Sequence, residues 1–351
     1  MGKLAVYKYV TLMCLIIQIV ITIFTFVGLF GGNVPPQGNT ARAMLVYILP
    51  LLIVLNIIML IIWLIRHNWI ISALPLITVL CCIPYIGTQY QFRGKASVSE
   101  TRQGITIATY NVAKFGHETS GFMAQDILSE MKKQSVDILC LQEYTNTVGD
   151  KMLSDSYRDY FPYAKKGNDD MVIYSRYPIG DSKNIPFEQT NNSAMWADVS
   201  IAGFTVRVFN VHLETTGFSR TLHQVAKLEN KGYNVESNAL LKAIYNNYTI
   251  GMIARAGQAN VVAMERLKCT TPVIICGDFN DVPYSYVYNT LKHDMVDGFK
   301  ECGSGFMRTY RGKKPVRIDY IFHDKSMKGI TYYTVPLAYS DHLPVFMKVE
   351  M

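Results

Sequence analysis

Three apolar stretches without a single charged residue constrain the N-terminal part of this chain: Val10 to Phe30, Met44 to Ile65 and Trp69 to Ile86. Each approaches the ~20 residues that span a bilayer as helix. The last two are separated only by Arg66, His67 and Asn68. As one continuous helix they would measure about 65 Å at ~1.5 Å per residue, twice a ~30 Å hydrocarbon core. Two crossings with a tight polar turn fit better. Lys3 and Lys8 before the first stretch also suit a cleaved signal peptide, but the run is long for a signal core and no small-x-small site follows it cleanly. A buried core helix would show polar positions at helical spacing, which the other two stretches lack. The expectation is three transmembrane helices over residues 1–88, a polar linker over 89–103 and a separate folded domain over 104–351.

Orientation is nearly balanced on the positive-inside rule. With the N-terminus inside, Lys3, Lys8 and Arg66 are cytoplasmic, against Arg42, Arg93 and Lys95 outside. The terminal amine and His67 tip the balance toward a C-terminal domain facing away from the cytoplasm. The expected location is an integral membrane protein of the bacterial inner membrane, held in the lipid bilayer by its N-terminal helices, with no protein partner.

The formal net charge of +7 is unevenly distributed. Residues 1–100 contribute +5, where basic side chains favour anionic headgroups, and the remainder only +2. The C-terminal part thus carries no electrostatic bias toward a polyanion, which counts against a nuclease. Of the seven cysteines, Cys14, Cys81 and Cys82 fall in the apolar stretches, and Cys140 and Cys276 inside strand-like runs, where a small buried hydrophobe is the default. Nothing in their spacing reads as a disulfide framework or a metal motif.

The C-terminal part alternates strand-like and helix-like segments. Residues 121–134 carry Phe122, Ile127, Leu128 and Met131 at helical spacing. Met171–Tyr174 and Val206–Val211 are strand-like, and 251–267 is an Ala-rich helix. Such alternation predicts buried sheets with helices outside. Residues 214–250 match no motif and fit either a specificity loop or a solvated insertion equally well.

Four apolar runs contain or end in polar side chains: Asp137-Ile-Leu-Cys-Leu-Gln-Glu143, Val273-Ile-Ile-Cys-Gly-Asp-Phe-Asn-Asp281, Arg317-Ile-Asp-Tyr-Ile321 and Ser340-Asp-His-Leu-Pro344. Strands that deliver acids and imidazoles to one sheet edge are how a metal-assisted hydrolytic site is built. With Asn111 after Ile105–Tyr110 and His212 in Val208-Phe-Asn-Val-His-Leu213, the whole ordered set resembles the endonuclease/exonuclease/phosphatase superfamily over roughly residues 103–351. The resemblance implies an α/β fold, a four-layer αββα sandwich of the deoxyribonuclease type, following the transmembrane region.

It also implies phosphoester hydrolysis with Mg²⁺, or Mn²⁺ in its place, held by Asn111, Glu143 and Asp341, directly or through water. Asp278 would orient or deprotonate the attacking water, and Asn280 would donate to a phosphate oxygen. His342 would contact the phosphoryl group with Asp319 fixing its tautomer, and either Asp278 or His342 takes the water's proton. His212 would support the leaving oxygen. Asp281 reads as a turn or helix cap before Pro283, and Arg255 with Gln258 as support by packing or hydrogen bonding. His117 and His323 match no catalytic position. Trp196, Tyr284, Tyr286 and Tyr310 fit a stacking platform or a lipid contact, though most aromatics are core. The substrate classes left open are a lipid headgroup, which the tether favours, a nucleic acid cleaved outside the cytoplasm, or a small phosphate ester. An inactive membrane scaffold should have lost some of these polar positions, and none is missing.

Overall fold

The computed structural model describes residues 2–94, 104–117, 122–144, 150–168, 170–188, 190–215, 225, 227, 237–312 and 316–351. They form two compact units. One comprises Met1–Thr88 with Val282–Asn289, and the other Gln89–Asp281 with Thr290–Met351.

The first unit is built on α1 (Lys3–Gly31), α2 (Thr40–Ile65) and α3 (Trp69–Cys81), which α4 (Ile83–Ile86) extends. The segments Leu4–Gly31, Thr40–Ile65 and Trp69–Ile86 are each long and apolar enough to cross a membrane. Asn39 caps α2 by accepting from the Arg42 N–H at 3.1 Å. The three helices share a buried polar seam. Gln18 Nε2 donates to Thr22 Oγ1 (2.8 Å) and to Asn56 Oδ1 (3.0 Å). Asn56 Nδ2 donates to Thr25 Oγ1 at 2.9 Å, and Thr22 meets Thr78 at 3.4 Å. In an apolar surrounding such bonds fix which helix faces meet, because an unpaired amide there costs free energy.

The second unit holds two six-stranded mixed sheets. The first has the order β13-β14-β2-β3-β5-β4 and the second β10-β12-β9-β8-β7-β6. The first comprises β2 (Ile105–Asn111), β3 (Ile138–Gln142), β4 (Tyr163–Lys166), β5 (Val172–Ser175), β13 (Lys328–Thr334) and β14 (Val345–Glu350). The second comprises β6 (Ile179–Pro186), β7 (Ser193–Ile201), β8 (Phe204–His212), β9 (Val273–Asp278), β10 (Val296–Asp297) and β12 (Asp319–His323). Tyr90–Gln91 (β1), within the stretch expected to be linker, pairs with Gly305–Phe306 (β11).

Alternate residues of both sheets, among them Ile107, Ile138, Ile173, Met195, Val208, Ile274, Ile321 and Met347, meet in one buried cluster. Fully burying each such side chain is worth about 1.5–3 kcal/mol, which makes this interface the main hydrophobic store of the unit. The opposite face of the first sheet packs Ala108, Leu139, Leu141 and Phe346 on Ala124, Ile127, Leu128 and Met131 of α5 (Phe122–Lys133) and on Tyr157 of α6 (Asp150–Tyr160). A long helix, α7 (Ser237–Arg266), buries Ala256, Ala259 and Val262. The result is two packed mixed sheets flanked by helices, the expected sandwich. α7 begins fourteen residues before the helix read from the sequence, and residues 216–236 lie outside the described residues apart from 225 and 227. All seven cysteines are free.

The topology explains where polar side chains collect. Each sheet holds one parallel pair, β2 with β3 and β8 with β9, in register Asn111↔Gln142 and His212↔Asp278. Parallel neighbours finish at the same edge. β12 runs antiparallel to β9 with Asp319 opposite Asp278, so its first residue lies at that edge. β14 runs antiparallel to β2 with Val345 opposite Thr109, which brings Ser340–His342 to the same place.

Candidate functional site

Local backbone shapes the edge. Gly277 has φ +135°, and a Cβ there would sit 1.9 Å from the Val211 carbonyl oxygen, so β9 can approach β8 this closely only with glycine. Glu143 (φ 51°) and Asn280 (φ 50°) adopt the left-handed conformation just past β3 and β9. Ala113, Lys114 and Phe115 do so consecutively after Asn111. Non-glycine residues accept this conformation at a cost, and such strain concentrates at functional edges.

The side chains form a connected chain. Asn111 Nδ2 donates to Glu143 Oε1 and to Asp278 Oδ2, both at 3.1 Å. Its own Oδ1 accepts from the Ala113 N–H at 3.0 Å. Asp278 Oδ2 lies 3.6 Å from His342 Nε2, and His342 Nδ1 meets both Asp319 oxygens at 3.0–3.1 Å. Asn280 Nδ2 donates to the Leu213 carbonyl (2.9 Å) and Asp278 Oδ2 (3.3 Å), while its N–H bonds Asp278 Oδ1 at 2.8 Å. On the other side His212 Nε2 stands 3.9 Å from Glu143 Oε1. Seven of the eight residues singled out in the sequence are thus joined at one edge. Asp341 is exposed and adjoins His342, its charge adding to the field on that imidazole.

One partner was not foreseen. Asp170 Oδ2 holds His212 Nδ1 at 2.9 Å, giving a second carboxylate–imidazole pair beside His342–Asp319. Asn210, two residues before His212, ties the sheets together. It accepts from Gln142 Nε2 at 2.6 Å and donates to the Leu141 and Val172 carbonyls at 2.9 and 3.1 Å. Asp281, read as a turn or helix cap, is 2% exposed and pairs with buried Arg255 at 3.4 Å. Arg255 Nη1 and Gln258 Oε1 bond the Glu214 backbone at 3.1 and 2.8 Å, supporting the segment just after His212. Asp137 accepts from the Thr106 N–H at the far end of the sheet and pairs with Arg176. His323, buried at the far end of β12, meets Glu301 at 2.7 Å. Trp196 lies under the Arg207 guanidinium, 3.5 Å from the ring centroid.

Burial and charge set the protonation of the edge. Burial pushes Asp278 up to about 6, aided by Asp319 and opposed by His342 and His212. Burial alone disfavours the His342 imidazolium, but Asp319 and Asp278 outweigh it and hold His342 up at about 10. His212 is likewise displaced upward despite burial, chiefly by its bond to Asp170. The edge thus pairs a carboxylate that takes a proton just below neutrality with an imidazole, His342, that keeps its own.

The donor chemistry indicates where a cation fits. Among the described residues, Asp278, Asp319 and His342 offer ligand atoms within 4.8 Å of one another. In that cluster, however, the Asp319 oxygens and His342 Nδ1 already bond each other. Glu143 and Asp278 bracket Asn111, and the Glu143 side chain is 35% exposed. A hard carboxylate beside solvent at Glu143, with buried Asp278 across Asn111 and no thiolate among the described residues joined to this edge, suits Mg²⁺ or Mn²⁺ and their retained waters.

Comparison with known proteins gives matching results. The model of the Endonuclease/Exonuclease/phosphatase family matches residues 108–342. A Domain of unknown function (DUF8431) matches residues 10–89. No curated protein matches the chain. Similar solved folds include an endonuclease/exonuclease/phosphatase from Beutenbergia cavernae (TM-score 0.53, 18% identity, covering 71% of this chain and 72% of that one). A humanized TDP2 of D. rerio has TM-score 0.51 at 18% identity, covering 71% and 99%. An endonuclease/exonuclease/phosphatase from Bacteroides vulgatus has TM-score 0.50 at 16% identity, covering 71% and 100%.

Proposed function

This chain belongs to the endonuclease/exonuclease/phosphatase family, whose members are hydrolases of phosphoesters, and on that premise we propose that it is a membrane-anchored, Mg²⁺-dependent phosphodiesterase acting on lipid headgroups. The observation that carries the reading is the unbroken chain Glu143–Asn111–Asp278–His342–Asp319 at one sheet edge, faced by His212–Asp170.

Glu143 would hold the cation, with Asp341 completing its shell as the family resemblance implies and Asn111 reaching it through water, since Asn111 Oδ1 already accepts from the Ala113 N–H. Bound there, the ion would neutralise phosphoryl oxygens and polarise the attacking water. The remaining steps belong to the protein. Asp278, displaced to about 6, is ionised at neutral pH yet basic enough to accept the water's proton. Asn280, whose amide donates to Leu213 and Asp278, fixes that carboxylate and would donate to a phosphate oxygen by exchanging the longer of these bonds. His342 stays an imidazolium, and its Nε2–H donates to a phosphoryl oxygen as negative charge grows. Asp319 keeps Nδ1 protonated and the ring oriented. His212, held by Asp170, supports the leaving oxygen and can return a proton to it.

The apolar helices support the choice of substrate. A tether that inserts in a bilayer keeps the site at high effective concentration of lipid headgroups, and the +2 balance beyond residue 100 supplies no field for a polyanion. The test is hydrolysis by the full chain in detergent, with Mg²⁺ and with chelator, on phospholipid, sphingomyelin, DNA, RNA and inositol phosphate. Chelator-sensitive turnover of a lipid supports the reading. Preference for DNA over every lipid replaces it with that of an extracytoplasmic nuclease.

A further inference from the structure

Two segments that carry one imidazole–carboxylate pair are held by a third that no motif marks. Thr309 is completely buried, and its Oγ1 accepts from two consecutive backbone amides, Ile318 and Asp319, each at 3.0 Å. Its carbonyl accepts from the Leu343 N–H at 2.6 Å, one residue past His342. The next residue, Tyr310, sets its ring edgewise on His342 with centroids 5.2 Å apart. Arg311 follows: its N–H bonds the Asp341 carbonyl and its guanidinium the Ser340 carbonyl, both at 2.7 Å. The ladder between β10 and β12 reaches only Asp297↔Phe322. The Thr309 hydroxyl therefore supplies the acceptor that, among the described residues, no neighbouring strand offers at the start of β12.

We propose that Thr309 is a positioning residue for hydrolysis. Its side chain fixes the Asp319 backbone and its carbonyl fixes the His342 loop, so one residue sets the separation between the Asp319 carboxylate and His342 Nδ1. This rests on the site reading given above. Without the hydroxyl, two buried amides lose their acceptor and the start of β12 moves to find another. A displacement of about 1 Å in a reacting constellation costs up to about 100-fold in rate without weakening ground-state binding to match.

The test compares Thr309→Val, Thr309→Ala and Thr309→Ser with His342→Ala in the full chain, on a chromogenic phosphodiester with Mg²⁺. Serine keeps the hydroxyl and should stay within about threefold of the parent. Valine should lower kcat about 10- to 100-fold with KM within twofold, the signature of a displaced transition-state contact. Alanine likewise removes the acceptor, without valine's second methyl, should lower kcat in the same direction, and supplies a folded comparison if the valine chain does not fold. A second readout is the His342 Nδ1 proton resonance of ¹⁵N-histidine-labelled protein, identified by its absence in His342→Ala. It should persist in Thr309→Ser and be lost or shifted in the valine and alanine variants. A kcat and resonance unchanged in the folded alanine or valine variant, with His342→Ala inactive, overturn the role of Thr309 alone. Full turnover by His342→Ala overturns the site reading and this proposal with it.

Discussion

Replacing Asp319 by Asn removes one charge from the centre of the edge while nearly preserving its shape. His342 stands at about 10 rather than its ordinary 6.5, which corresponds to about 5 kcal/mol of preference for the imidazolium at ~1.4 kcal/mol per tenfold. That preference is shared with Asp278 and Asp341. A single charge-assisted hydrogen bond accounts for about 2–3 kcal/mol of it. Losing this much transition-state stabilisation lowers kcat/KM about 30- to 150-fold at pH 8. The amide can still accept from Nδ1–H, so the ring keeps its place, but His342 now releases its proton nearer neutrality. The loss should therefore shrink toward pH 6, where the imidazolium survives without its partner, and deepen as pH rises. The assay is kcat/KM for a chromogenic phosphodiester at fixed Mg²⁺ between pH 6 and 9, parent beside variant. A variant within threefold of the parent at pH 8, with a parallel pH profile, refutes the assignment of His342 as the charged donor.

Three further outcomes follow from the same geometry. In the metal-free protein, His342 (raised) contributes stability that is full below about 6.5 and lost as pH rises through about 10, while Asp278 (raised to about 6) adds a penalty as pH rises from about 3.8. Thermal midpoints should thus fall from pH 5 to pH 9, and Mg²⁺ should raise them more at pH 8 than at pH 5. Glu143→Gln should raise the Mg²⁺ concentration for half-maximal activity at least about tenfold, read by metal titration, because a carboxylate ligand is lost. Asn56→Leu, which breaks bonds to Gln18 and Thr25, should destabilise the helical unit by about 1–2 kcal/mol in detergent unfolding and leave kcat unchanged.

How much of this was legible depends on which end of a strand carries the side chain. Asn111, Glu143, His212 and Asp278 end or follow apolar runs of the two parallel pairs. A reader moving along the chain meets them as the abrupt close of a hydrophobic segment. Asp170 escaped because it precedes its run, Met171–Tyr174, and sits among Asn168 and Asp169 in a segment that reads as a turn. Yet β5 runs antiparallel to β3, and on an antiparallel strand the residue entering the run reaches the edge that a parallel strand reaches on leaving it. Asp319, first residue of β12, obeys the same geometry and was found through its motif.

Thr309 carried no signal, since its service is to two backbone amides and leaves no pattern in side-chain chemistry. The start of α7 was hidden for another reason: Asn246, Asn247, Thr249 and Gly251 are poor helix formers, and the surrounding fold overrides them. Tyr90–Gln91 look like linker because a two-residue strand has no periodicity to read. Patterns along a chain report what each segment buries, whereas direction within a sheet decides what meets. An acid at the entrance of an antiparallel run therefore merits the same weight as one at the exit of a parallel run. By that rule Asp170 joins His212 as a residue whose removal should weaken hydrolysis: Asp170→Asn should lower kcat through the orientation of His212 and leave the Mg²⁺ requirement as it was. A changed Mg²⁺ requirement with unchanged kcat would place Asp170 in the cation's shell, and the pairing with His212 would then be incidental.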